Sequence, residues 1–271
     1  MTEKIPLGRT TAYPEQYSPG LLYAIARTDS RTALGLGDEL PFHGTDIWNA
    51  WELTWLDNGG LPQVGTAEIR VPASSPNIIE SKSLKLYLNS FAMTRCASAS
   101  DVAETIEQDL SEAARADVTV CVQRPAETDA MANAQLPGES LDDQQLSCDV
   151  YEVDAAMLSA DDDETATEDL NSHLLRSLCP VTSQPDTASL LVSYTGPRID
   201  RAGLLRYIVS YRQHQDFHET CVERMFLDIM EHCKPERLTV YARYQRRGGI
   251  DINPFRSNFE ENPPNNRLWR Q

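Results

Sequence analysis

The chain has 271 residues, with 24 Lys+Arg against 41 Asp+Glu and a formal net charge of −17. Hydrophobic residues at 41%, with 7% aromatic, exclude a disordered chain, and the length permits one large or two small domains with a real core. The charge excludes a nonspecific polyanion binder, which needs a large basic surface, so no direct nucleic-acid partner is expected. It is also uneven. Residues 101–170 hold 20 acidic and 2 basic side chains, leaving 21 acidic and 22 basic elsewhere. The picture is a balanced body carrying one acidic segment.

The start has no apolar leader and no run approaches the ~18 apolar residues of a membrane span, so a soluble cytoplasmic protein without membrane contact is expected. Six cysteines (96, 121, 148, 179, 221, 233) lack CxxC spacing and read as reduced thiols.

The first forty-odd residues are turn-rich, with Gly8, Pro14, Pro19, Gly20, Gly35, Gly37 and Pro41. Gly35-Leu36-Gly37 lacks the third glycine of a dinucleotide fingerprint. Residues 48–56 read as a strand closed by the hairpin signal Asp57-Asn58-Gly59-Gly60, and residues 64–71 return with Ala67, Ile69 and Val71 alternating. After the break at Pro72-Ala73-Ser74-Ser75-Pro76, Glu80-Ser81-Lys82-Ser83-Leu84-Lys85 reads as a polar prelude to a strand. Val102, Ile106, Leu110 and Ala113 fall at helical spacing, opened by an Asp101…Glu104 capping pattern. Val118, Val120 and Val122 alternate as a strand. Residues 124–170, centred on Asp161-Asp162-Asp163-Glu164, read as an interdomain connection with some local structure.

The last third is more regular. Residues 190–194 read as a strand, and Asp200 caps a helix with Leu204, Leu205, Ile208 and Val209 inward. A second helix carries Val222, Met225, Phe226, Ile229, Met230 and Cys233, with Cys221 and Cys233 as core thiols. Leu238, Val240, Ala242 and Tyr244 alternate as a strand, and Gly248-Gly249 turns the chain. The pattern implies an α+β fold of two related units, each an antiparallel sheet with helices on one face.

Three places could carry chemistry. In Leu178-Cys179-Pro180-Val181-Thr182-Ser183-Gln184-Pro185-Asp186, two prolines bracket a polar loop with a thiol at one end and a carboxylate at the other. A thiolate attacks electrophilic carbon, and a nearby acid can protonate the anion that develops. The plain alternative is a buried thiol and a turn-forming Asp. In Phe217-His218-Glu219 a carboxylate could accept paired N–H donors from a guanine-type edge, with Phe217 over the ring and His218 holding the ligand. The plain alternative is a helix N-terminus with Glu in its first turn. Lys82 and Lys85 are candidate phosphate contacts, and Arg246-Arg247-Gly248-Gly249 suits a phosphate approached closely by backbone, or is a solvated hairpin tip. Cys179, His218 and Cys221 could also be metal ligands, but their spacing matches no structural zinc pattern.

Together these segments resemble the NADPH-dependent 7-cyano-7-deazaguanine reductases, the nitrile reductases of queuosine biosynthesis, in their longer two-module form. The family signature stands as Glu80-Ser81-Lys82-Ser83-Leu84-Lys85-Leu86-Tyr87, and the cysteine loop as residues 179–186. Phe217-His218-Glu219, Arg246-Arg247-Gly248-Gly249-Ile250-Asp251-Ile252-Asn253-Pro254 and Leu40-Pro41-Phe42-His43-Gly44 also look like family segments. Thr187 departs from the family, in which an aromatic is frequent after the Asp, and that would loosen packing beside the substrate.

The resemblance implies two tandem tunnelling-fold modules, residues 1–165 with the signature and the acidic connection and residues 166–271 with the catalytic Cys, and a homodimer. It implies Cys179 as nucleophile and Asp186 as acid. Ile79, Glu80, Ser81, Phe217, His218 and Glu219 would hold 7-cyano-7-deazaguanine, and Ser81, Lys82, Arg247 and Gly248 would hold NADPH. No metal is implied. The rival readings are a zinc-dependent cyclohydrolase-like enzyme of the same fold and a non-catalytic purine- or pterin-binding module.

Overall fold

The computed structural model describes residue 14, residues 16–125 and residues 133–271. Gly8 of the turn-rich start and residues 126–132 of the acidic segment lie outside the described residues. The chain divides into two compact units. The first comprises Met1–Gly37, Thr45–Ala132 and Arg246–Ile252; the second comprises Asp38–Gly44, Asn133–Gln245 and Asn253–Gln271.

In the first unit, β1 (Ala24–Ala26) precedes the short helix α1 (Thr28–Ala33) and pairs with β4 (Asn77–Ile79). Between them in sequence, β2 (His43–Leu56) and β3 (Pro62–Pro72) form the hairpin read from the sequence. Its turn closes with Asp57 accepting from Leu61 N–H at 2.9 Å, and Gly60 takes φ +90°, a conformation glycine adopts without penalty. β3 buries Ala67, Ile69 and Val71 on alternate positions and pairs on its other side with β5 (Thr119–Gln123). Against these strands pack α2 (Ser81–Asn89) and α3 (Ala99–Ala114), around Trp48, Trp55, Ile69, Leu84, Tyr87, Phe91, Ile106 and Leu110.

Two local readings are corrected here. The signature segment is a helix, not the approach to a strand; the strand is the three residues before it. Leu84, Tyr87, Leu88 and Phe91 recur at helical spacing and are all buried, which a strand's two-residue period cannot achieve. The α3 cap is Ser98, whose hydroxyl accepts from Asp101 N–H at 3.1 Å, and Asp101 lies in the first turn.

In the second unit, β7 (Ala160–Leu178), β8 (Pro185–Ile199), β9 (Arg237–Tyr244) and β10 (Ile250–Ser257, from Asn253 onward) follow one another in antiparallel pairs. The two-residue β6 (Glu139–Ser140) lies parallel on the far side of β7. Helices α4 (Arg201–Ser210) and α5 (His218–Cys233) follow β8. Asp200 caps α4 through the N–H groups of Ala202 and Gly203. On α4 the buried face takes Tyr207, while Val209 is only half-buried.

β9 separates two environments. Leu238, Val240, Ala242 and Tyr244 are buried on the side of α5. Thr239, Tyr241 and Arg243 hydrogen-bond instead to Glu260, Pro264, Asn265 and Gln271 of the final segment.

The acidic connection is also corrected. It ends at Ser159, because Asp161-Asp162-Asp163-Glu164 is part of β7 and faces solvent where the β7–β8 register shifts. Arg198 of β8 pairs with Glu164 at 2.8 Å. Polar run and strand are compatible, since an exposed edge of a sheet carries charge readily. β8 in turn begins five residues before the expected strand, so Asp186 is a strand residue and not part of the loop. The class is mixed α+β, and among the described residues no helix is long and apolar enough to cross a membrane.

Candidate active site

The turn between β7 and β8 builds the cysteine position. Leu178 pairs with Pro185 and Ser177 with Asp186, which leaves residues 179–184 as the connection. Cys179 N–H donates to Gln184 O at 2.9 Å, and Ser183 N–H donates to Cys179 O at 2.9 Å. Ser183 takes φ +55° to close it. Cys179 is thereby held at 7% exposure, at the same end of the hairpin as Asp186, which is 3% exposed.

A second segment is stitched to that end. Leu178 N–H donates to His214 O at 2.8 Å, and Leu178 O accepts from Asp216 N–H at 3.2 Å. The chain then turns through the half-buried Phe217, in extended conformation, into α5. His218 is the first helical residue, and buried Glu219 sits in the first turn, where the helix dipole favours a negative charge. His218 Nε2 lies 3.2 Å from Asp186 Oδ2. Its ring stacks on Tyr244 of β9, with centroids 3.7 Å apart and planes 9° from parallel. His218 Nδ1 is buried and has no hydrogen-bond partner among the described residues.

The groups beneath are uncharged. Burial pushes the Cys221 thiol well above its ordinary pKa, with the charge of Asp216 acting the same way. Burial likewise raises the Tyr244 phenol, assisted by neighbouring Cys221. Cys221 and Cys233 are fully buried on the inner face of α5, as their spacing implied.

The first unit holds the other sequence candidates. Ile79 ends β4 and is buried; Glu80 follows as the cap of α2. Glu80 Oε1 and Oε2 accept from the N–H groups of Lys82 and Ser83, each at 2.8 Å. Ser81 opens the helix, and Lys82 and Lys85 lie one turn apart on its half-buried side.

The same unit contains the 246–252 segment. A register shift in β2 between Ala50 and Leu53 turns Trp51 N–H toward Gly249 O, at 2.9 Å. Buried Asp251 accepts from Asn49 at 2.8 Å and from Trp51 Nε1, which fastens the turn to β2. Arg246 pairs with Glu52. Gly248 has φ +65°, and a Cβ on it would come 3.1 Å from Lys85 Cε. The Lys85 side chain therefore lies over Gly248, two residues from the guanidinium that pairs with Glu52.

Residues 13–122 match a family profile described as the nitrile reductase 7-cyano-7-deazaguanine-reductase N-terminal region, and residues 185–263 match one described as QueF-like protein. Curated proteins named NADPH-dependent 7-cyano-7-deazaguanine reductase align over nearly the whole length. The one from Paraburkholderia phytofirmans is 54% identical over 271 residues, 99% of both chains. Those from Burkholderia ambifaria and Burkholderia thailandensis are each 53% identical over 271 residues, again 99% of both. The chain belongs to this reductase family.

The two profile matches enclose Glu80, Asp186, Phe217-His218-Glu219 and Arg247-Gly248, while Cys179 lies between them and is covered by the full-length relatives. Thr187, where looser packing is expected from the sequence, is tied down: its Oγ1 donates to Gln245 Oε1 at 2.5 Å. Sequence reading missed the contribution of Tyr244 and Gln245 at the end of β9. Tyr244 fits the strand alternation and so read as core, and no local pattern links Gln245 to Thr187. Among the described residues, no three His, Cys, Asp or Glu side chains gather to hold a metal ion.

Proposed function

We propose that the chain reduces the nitrile of 7-cyano-7-deazaguanine to the aminomethyl group with NADPH, through a covalent adduct on Cys179, in tRNA queuosine biosynthesis. The observation that carries this reading is the Asp186–His218 contact at the hairpin end that also holds Cys179. An NADPH-dependent oxidoreductase role is supported by full-length relatives of that name.

A nitrile is a poor hydride acceptor, and thiol addition makes it a better one. The Cys179 sulfur bonds to the nitrile carbon while Asp186 delivers a proton to the nitrogen. The proton lost by the thiol restores Asp186, and the product is a neutral thioimidate. His218, in contact with Asp186, steadies the acid through the transfer. When that carbon takes a hydride its nitrogen takes a proton. The Cys179 sulfur then leaves with its bonding pair and recovers a proton from that nitrogen, and the imine so formed takes a second hydride and a second proton to give the amine. NADPH, when bound, supplies the two hydrides that this four-electron change requires. Burial of Cys179 and Asp186 keeps water from the adduct, whose hydrolysis would compete.

For the ligand, Glu80 and Glu219 supply carboxylates for the N–H groups of the guanine-like edge, and Phe217 supplies a ring face. Ile79, Ser81 and His218 complete the proposed substrate set. The residues assigned to NADPH fit a phosphate-bearing group: Lys82 and Lys85 share one side of α2, and Gly248 offers backbone unscreened by a Cβ. Ser81, Lys82, Arg247 and Gly248 would hold it. We further propose two tunnelling-fold modules, a homodimer and a cytoplasmic location, on the strength of the family.

Mixing the protein with 7-cyano-7-deazaguanine should add the mass of the nitrile to Cys179, and NADPH should then be oxidised at two per nitrile. No adduct and no oxidation would overturn the reading. Activity lost to chelators would favour a zinc enzyme instead, and ligand binding without NADPH oxidation, unchanged in Cys179→Ala, would favour a binding module.

A further inference from the structure

Asp186 and His218 belong to different elements, β8 and α5, yet two consecutive residues hold both: Tyr244, the last of β9, and Gln245, which follows it. The β8–β9 ladder runs to the Ala188–Tyr244 pair. Beyond it, Gln245 N–H donates to Thr187 O at 2.9 Å, and Gln245 Oε1 accepts from Thr187 Oγ1 at 2.5 Å. Gln245 Nε2 reaches further, donating to Pro185 O at 3.2 Å. Gln245 thus grips the residues on both sides of Asp186. Tyr244, one residue earlier, presents its ring flat beneath His218.

We infer that Tyr244-Gln245 is a positioning pair for the acid–imidazole couple, an assignment that rests on the nitrile-reductase reading. The imidazole's terminal torsion is broad when nothing confines it. The stack confines the ring plane, so that Nε2 meets Asp186 and Nδ1 is presented on the ring's other edge. The Gln245 clamp confines the other partner by pinning the strand that carries Asp186. Together they set a separation that neither β8 nor α5 sets alone. The Tyr244 hydroxyl is buried close to Ser177 and Cys221, and it is the ring that makes the contact with His218.

The test separates positioning from folding. Adduct formation on Cys179 is timed by mass spectrometry in Tyr244→Leu, Tyr244→Phe and Gln245→Ala. Noncovalent affinity for 7-cyano-7-deazaguanine is measured in the same variants carrying Cys179→Ala. Tyr244→Leu should slow the adduct by about 10²-fold, the scale of a misplaced catalytic group, with affinity changed much less. Tyr244→Phe should restore most of the rate, and Gln245→Ala should lose rate in the same direction. Equal losses of rate and affinity, or no rescue by Phe, would overturn the assignment. Should Tyr244→Leu not fold, Gln245→Ala decides alone, because Gln245 lies half-exposed at the rim; an unchanged rate there overturns it. A wild-type chain that forms no adduct overturns the reductase reading itself. A normal wild-type adduct with unchanged variant rates overturns only the positioning role.

Discussion

His218 Nε2 stands 3.2 Å from Asp186 Oδ2, although the two residues are 32 positions apart and belong to a helix start and a strand start. Two connections produce the contact. Leu178 hydrogen-bonds to the segment that leads into α5, and the β7–β8 pairing sets Asp186 opposite Ser177. These backbone hydrogen bonds bring the two elements together, and the Tyr244 ring and the Gln245 side chain then contact His218 and the strand that carries Asp186.

Asp186→Asn should retain the ligand and lose the proton donor. General acid catalysis contributes about 10²- to 10⁴-fold, so adduct formation should slow by that range while binding to the Cys179→Ala double variant stays within a few-fold. Stopped-flow or quenched mass measurements decide it. Parallel losses in both would remove the proton-donor role.

Glu80 serves α2 as well as the proposed ligand. Glu80→Ala leaves the Lys82 and Ser83 N–H groups without their acceptor and should cost about 1 kcal/mol of stability, read from urea midpoints. Glu80→Gln keeps one amide oxygen as acceptor and should cost less. Substrate affinity should fall in both. A variant with normal affinity and only a stability loss would restrict Glu80 to its capping role.

At Gly248, alanine would meet both a φ of +65° and the Lys85 side chain. The backbone penalty is about 1–2 kcal/mol for an L-residue in this region. Gly248→Ala should therefore raise the KM for NADPH while the Cys179 adduct forms at its normal rate in the absence of NADPH. A slower adduct with unchanged NADPH dependence would place Gly248 elsewhere in the cycle.

Glu168 carries a pH prediction. Burial pushes its carboxyl up, but hydrogen bonds from Tyr194 at 2.7 Å and Arg201 at 2.9 Å outweigh burial and hold the pKa below the usual 4.5. A folded pKa below the unfolded one adds stability that is fully present above the unfolded value and is lost as pH falls through the folded one. The urea-midpoint gap between wild type and Glu168→Gln should thus be open at pH 7 and narrow as pH drops below about 4.5. A gap that does not change with pH contradicts this.

Sequence alone determined the elements whose period is set by their own buried faces. The β2–β3 hairpin, α3, α5 and β9 follow from apolar spacing and turn residues, and the motif residues follow from family resemblance carried by short, contiguous segments. Asp200 announced its helix because a cap is a local device. The signature helix was misread because a nine-residue segment starting with polar side chains offers too few periods to tell a helix from a strand, and its cap is a glutamate outside the usual Ser, Thr, Asp and Asn. The acidic run in β7 hid a strand because an exposed face needs no apolar alternation. What only the tertiary structure decided was proximity: which residues at and just after the end of β9 stand under His218 and beside Asp186. Cross-strand register and helix docking join residues far apart in the chain, and no local pattern encodes those pairings, so Tyr244 reads as ordinary core until its ring is seen stacked on an imidazole.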